Sequence, residues 1–156
     1  MKHILAMAVT AIFLTGGVSC AAEHSHRHEM MKQEGQKSDD RTELKLPEAM
    51  KTMQKQMMRQ HMDTLSEIAA ALAVNDLNKA AEIAKDKLGW TEEEEKRCSM
   101  VEKMTREPDF MKLGKAVHLK ADELSEAAKA GNRDNALTAL AELINNCNMC
   151  HNKFRH

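Results

Sequence analysis

From Pro47 onward, apolar residues recur at steps of three and four, the spacing of one helix face. The first run holds Met50, Met53, Met57, Met58, Met62, Leu65, Ile68 and Leu72, with His61 among them, and predicts a long helix ending near Val74. Pro47 suits its first position, where a missing N–H costs nothing, and Glu48 suits its first turn. Asn75 and Asp76 are turn and cap residues. A second helix turns Leu77, Ala80, Ala81, Ala84 and Leu88 inward and stops at Gly89. Thr91 with Glu94 makes a capping box for a short third helix reaching about Met104, with Met100, Val101 and Met104 on one side and Cys98, a small half-buried hydrophobe, beside them. Pro108 opens a fourth helix striped with Phe110, Leu113, Val117, Ala121, Leu124 and Ala128, which Gly131 stops. His118 falls one position off that stripe and reads as partly exposed. The last helix begins near Asp134, and its stripe of Leu137, Leu140, Ile144, Cys147, His151 and Phe154 alternates three and four residues. Such a seam belongs to a helix packed at the shallow angle of a bundle. Four principal helices, one short extra helix, short connections and no strand pattern predict an all-α antiparallel four-helix bundle over residues 47–156.

Upstream the pattern differs. Residues 1–22 read as a signal peptide: a basic start at Met1-Lys2-His3, a run from Ile4 to Leu14 that is apolar but for Thr10, then small residues up to Ala22. The apolar run is too short to span a bilayer. Gly17-Val18-Ser19-Cys20 is also a poor match to a bacterial lipoprotein signal, so membrane attachment is expected only if Cys20 is lipidated. Residues 23–46 are polar, and read as a disordered linker without the means to bury a core. The linker opens on Glu23-His24-Ser25-His26-Arg27-His28-Glu29-Met30-Met31, whose imidazoles and thioethers could hold copper, nickel or zinc; a solvated tail is the simpler reading.

Composition adds two points. The formal charge of −1 predicts neither nucleic-acid nor anionic-membrane binding. Aromatics are scarce and methionines number 13, so the core lacks large rigid fillers, a gap that a flat apolar cofactor would fill. No Ser/His/Asp set, paired carboxylates in context or phosphate loop is evident, and no enzymatic activity is expected.

The chemistry is concentrated at the end of the chain. Cys147-Asn148-Met149-Cys150-His151 has the Cys-x-x-Cys-His spacing of c-type haem attachment. Two thiols add to the two vinyl groups of the haem, and the adjacent imidazole becomes an axial ligand to iron. Positions i, i+3 and i+4 of a helix share one face, so all three side chains reach the same side of a macrocycle. A thioredoxin-like pair would follow a strand, and a structural zinc site would need a second ligand pair, whereas Cys20 and Cys98 stand alone. A fortuitous thiol pair is disfavoured in an exported chain.

Cys-x-x-Cys-His-x-x-Phe-Arg closing the last helix of a four-helix bundle resembles the class II c-type cytochromes, the cytochrome c′ group, itself a standard example of the up-and-down bundle. Residues 58–76 are similar to the first helix of a branch of periplasmic cytochromes with this layout. The resemblance covers about 47–156. It implies one covalently bound haem c per chain, with Cys147 and Cys150 as thioethers, His151 as the proximal iron ligand, and Lys153 and Arg155 as basic residues near the haem edge. In such proteins a first-helix residue faces the iron: a small apolar one leaves five-coordinate, ligand-accepting iron, and Met gives six-coordinate, electron-transferring iron. Met58 is the first candidate for that distal position and His61 the second, although Gln54 stands where six-coordinate members often carry Arg.

The expected function is one-electron transfer in the periplasm of a Gram-negative bacterium, with a periplasmic redox protein as partner. Alanine-rich faces such as Ala69-Ala70-Ala71 would permit a homodimer. The alternatives are a five-coordinate binder of nitric oxide or carbon monoxide, and a periplasmic metal-binding protein using the His and Met residues of the linker and first helix.

Overall fold

Helix boundaries follow the caps written in the sequence. The computed structural model describes residues 39–156, of which 40–156 form one compact unit. Five helices are present there: α1 (Glu48–Ala73), α2 (Leu77–Leu88), α3 (Glu92–Thr105), α4 (Asp109–Lys129) and α5 (Arg133–Lys153). Asp76 accepts from the Lys79 N–H at 3.1 Å, Thr91 from Glu94 at 3.2 Å and Asn132 from Asn135 at 3.0 Å. Each bond satisfies an amide that a helix start leaves open. Pro47 stands one position earlier than expected, as the extended cap residue of α1. Gly131 takes φ of 74°, where a side chain would be strained, and turns the chain from α4 to α5. The signal-like segment 1–22, Cys20 and the His/Met stretch lie outside the described residues.

The five helices make four columns. Ser125 donates to the Ala81 carbonyl at 2.9 Å, and Gly114 lies against Cys98, so both α2 and α3 run antiparallel to α4. They form one column, broken where Gly89 has no room for a Cβ: one would fall 2.5 Å from the Lys85 carbonyl oxygen. Ion pairs Lys87–Glu67 and Lys120–Glu142 show α1 antiparallel to α2 and α5 antiparallel to α4. The result is the expected antiparallel four-helix bundle.

Two apolar clusters fill it. Ile68, Leu72, Leu88, Leu124 and Leu143, with alanines from α1, α2, α4 and α5, make the first. Leu44, Leu46, Cys98, Val101, Phe110 and Phe154 make the second. Cys98 is thus buried rather than half-buried.

Two stripes differ from expectation. On α5, Leu137 and Ile144 are 39% and 42% exposed, and His151 is exposed too. The buried positions are Ala136, Ala139 and Leu143, continued by half-buried Leu140, Cys147 and Cys150. A straight helix drifts from any strict three–four alternation, and the alanines let α5 approach α4 closely. On α1, Met53 and Met62 are exposed, while Gln54 and Thr64 are buried with Ile68, Ala71 and Leu72. Thr64 can be buried because its hydroxyl bonds back to the Gln60 carbonyl at 2.9 Å.

The expected linker, residues 23–46, ends too late. Thr42–Glu43 (β1) pairs in parallel with Phe154–Arg155 (β2), and the Leu44 N–H donates to the Arg155 carbonyl at 2.8 Å. Leu44 and Leu46 are buried. Only two leucines are involved, two residues apart in extended chain, which is why a composition average misses them. A chain starting at Asp40 should keep the thermal midpoint of the full mature protein. One starting at Pro47 should unfold at clearly lower temperature, since a buried Leu side chain contributes about 2–5 kcal/mol. Equal midpoints would mean that β1 does not dock.

Candidate haem site

A mainly apolar cavity of about 380 Å³ opens between α1 and α5, a volume in the range of ligand pockets. Gln54, Met57, Met58 and His61 line it from α1; Cys147, Cys150 and His151 line it from α5. Cys98, Val101, Phe110, Val117 and His118 close its back, and Leu44 and Phe154 close one end. Cations gather around it: Arg41, Lys55, Arg59 and Arg155 are all lining residues.

The structure therefore brings the three motif residues to one wall, although not through the seam expected. Cys147 packs on the first apolar cluster and Cys150 on the second, so the thiols bridge the two halves of the core. His151 lies at the solvent edge of the cavity, and its carbonyl accepts from Arg41 at 3.2 Å. Met58 is half-buried opposite. Lys153 pairs with Asp109, and Arg155 with Glu43 at 3.4 Å.

Burial sets the protonation of the site. It raises the Cys147 thiol and, helped by Cys147, pushes Cys150 up to about 11; Cys98 is likewise pushed to about 11, by burial first and then by Glu94. All three are thiols at neutral pH, unlike the thiolates that bind zinc. Among the described residues no group of three or more His, Cys, Asp or Glu could hold a metal ion. His61 is lowered to about 4, by burial first and then by the nearby charges of His118, Arg97 and His151, so its imidazole is neutral at pH 7. Among the described residues nothing hydrogen-bonds to its ring; its neighbour is the edge of His118 at 5.5 Å.

His118 corrects the sequence reading. It is 4% exposed and lines the cavity. Its Nδ1–H donates to the Leu88 carbonyl at 2.8 Å, and Nε2 lies 3.6 Å from Glu94. The Leu88 carbonyl is left without a helical partner by the break at Gly89, so the signal for a buried histidine was the stop, not the stripe. Arg97 was also missed. It bonds to Glu93 and Glu94, each at 2.8 Å, and to the Met57 sulfur at 2.9 Å.

An apolar slot bordered by cations, with two thiols and an imidazole on one wall, suits a flat macrocycle carrying two carboxylates. The family model described as Cytochrome C′ matches residues 24–155. The chain belongs to the cytochrome c′ family. No curated protein and no solved structure matches it. The family match begins well before Pro47, taking in the β1 segment that the sequence resemblance left out. Membership carries haem c binding and a role in electron transfer or gas binding. Haem, when bound, supplies an iron that can accept and return one electron. The residues that would hold it here are Cys147, Cys150 and His151. Leu44, Val101, Phe110 and Phe154 would keep water from it, and the rim cations would offset the charge of its carboxylates.

Proposed function

We propose that this cytochrome is an exported one-electron carrier with a single haem c, joined to Cys147 and Cys150, with His151 as proximal ligand and a sixth ligand from α1. The observation that carries the reading is the α1 wall. Its contribution to the cavity is Gln54, Lys55, Met57, Met58, Arg59 and His61. None is the small apolar residue that leaves room for a diatomic gas, and three, Met57, Met58 and His61, carry iron-binding side chains. Met58 came first on sequence. His61 is favoured by its environment, since a neutral, half-buried imidazole without a hydrogen-bond partner among the described residues gains most from coordination. The polypeptide's part in electron transfer is to hold both ligands on packed helices, so that little moves when the charge changes, and to set the potential through ligand and burial. Export rests on the signal-like residues 1–22, and a periplasmic location and a redox protein partner follow from it.

The test is the absorption spectrum of protein matured in a periplasm. Low-spin bands in both oxidation states, unchanged by carbon monoxide, are expected. High-spin bands that respond to carbon monoxide would replace electron transfer with gas binding.

A further inference from the structure

A second cavity, of about 510 Å³, lies between α1 and α3 and plays no part in the reading above. Four methionines line it: Met50, Met53 and Met57 from α1 and Met100 from α3. Positions 50, 53 and 57 share one helix face by their spacing, and Met100 meets them from the opposite wall. Met50 packs on the second apolar cluster, but the groove is not simply core. Met53 is 57% and Met100 41% exposed, while Met50 and Met57 are half-buried. The Met57 sulfur already serves as an acceptor, taking a bond from Arg97 at 2.9 Å.

The donor set selects the occupant. Thioethers are soft ligands, suited to Cu(I) and poor for zinc, magnesium or calcium. The groove contains no Cys or His, and its single carboxylate is Glu93, so borderline and hard cations find little to bind. Positive charge would oppose a cation, and the lining includes Lys96 and Arg97. Lys96 is paired with Glu92 at 2.7 Å, and Arg97 is neutralised by Glu93 and Glu94, although its bond to the Met57 sulfur is one that a copper ion must displace. Met side chains turn about three bonds and can converge without backbone movement. We propose that this groove is a Cu(I) site formed by the thioethers of Met50, Met53, Met57 and Met100. Gln54, Met57, Arg97 and Val101 line both this groove and the haem cavity, so a bound Cu(I) sits one layer of side chains from the cofactor.

The experiment uses the full mature, haem-loaded chain with His24, His26 and His28 changed to Ala and Met30 and Met31 to Leu, so that the upstream stretch offers no soft or imidazole ligands. Cu(I) is supplied anaerobically against a graded chelator, and protein-bound copper is counted by elemental analysis after gel filtration. About one Cu(I) per chain is expected, with zinc(II) not retained. Met53→Leu with Met100→Leu, which keeps volume and apolar character, should weaken retention at least tenfold. Met62→Leu with Met149→Leu, two exposed methionines outside the groove, should leave it unchanged. The haem spectrum of the same samples reports whether each variant is folded. Should the groove variant lose its haem spectrum, Met53→Leu alone, at the most exposed of the four positions, takes its place and should weaken retention at least threefold. Failure of the parent to retain copper, equal loss in both double variants, or no loss in the groove variants would overturn the assignment.

Discussion

Protein with serine at both 147 and 150 should leave every haem behind in acid–acetone, and its denatured mass should be that of the processed polypeptide alone. The unmodified protein should be heavier by one haem and keep its absorbance through the same extraction. Sulfur is required because the attachment is a thioether, and Ser cannot form one. Cys147 and Cys150 sit where the two apolar clusters meet, so the serine chain should also lose stability in the absence of bound cofactor. His151→Ala separates attachment from ligation: colour and mass persist while the spectrum turns high-spin. Extractable haem in the unmodified protein would end the covalent reading.

His61→Ala should convert a low-spin spectrum to a high-spin one and open the iron to carbon monoxide. Met58→Ala should leave the spin state alone and lower stability by about 2 kcal/mol or less, as expected for a half-buried side chain. The reverse result, with the weak red-end sulfur–iron band lost only in Met58→Ala, would return the ligand to the position that the sequence ranked first. The two outcomes also differ in potential, because a Met ligand favours ferrous iron more than a second imidazole does.

How far the sequence could be read depended on the range of the interaction. Caps are local, and Asp76, Thr91 and Asn132 mark helix starts through bonds spanning three residues. The Cys-x-x-Cys-His motif is local too, and its three side chains do share a cavity wall. Burial depends on which helix is opposite, and there the reading slipped. Leu137 and Ile144 were given the seam by their three–four spacing, but the buried face of α5 is that of Ala136, Ala139 and Leu143. His118 looked exposed because its value lies in a carbonyl thirty positions away. Leu44 and Leu46 were averaged into a polar stretch, and their partner is Phe154. The ligands at the end of the chain were legible; the groups that shape the cavity around them came from helices that the motif does not mention.

The β1–β2 pair has a consequence for how the molecule is made. Thr42 and Phe154 are more than a hundred positions apart, so their pairing closes a loop spanning nearly all of the described residues. Such contacts carry a high entropy of closure and form late in folding. Until then Arg41 and Leu44 are not drawn across the cavity, and its entrance stands wide. The folding chain thus passes through an open stage in which the motif cysteines are reachable, and the segment that later closes that end of the cavity is fastened by the residues next to the motif itself.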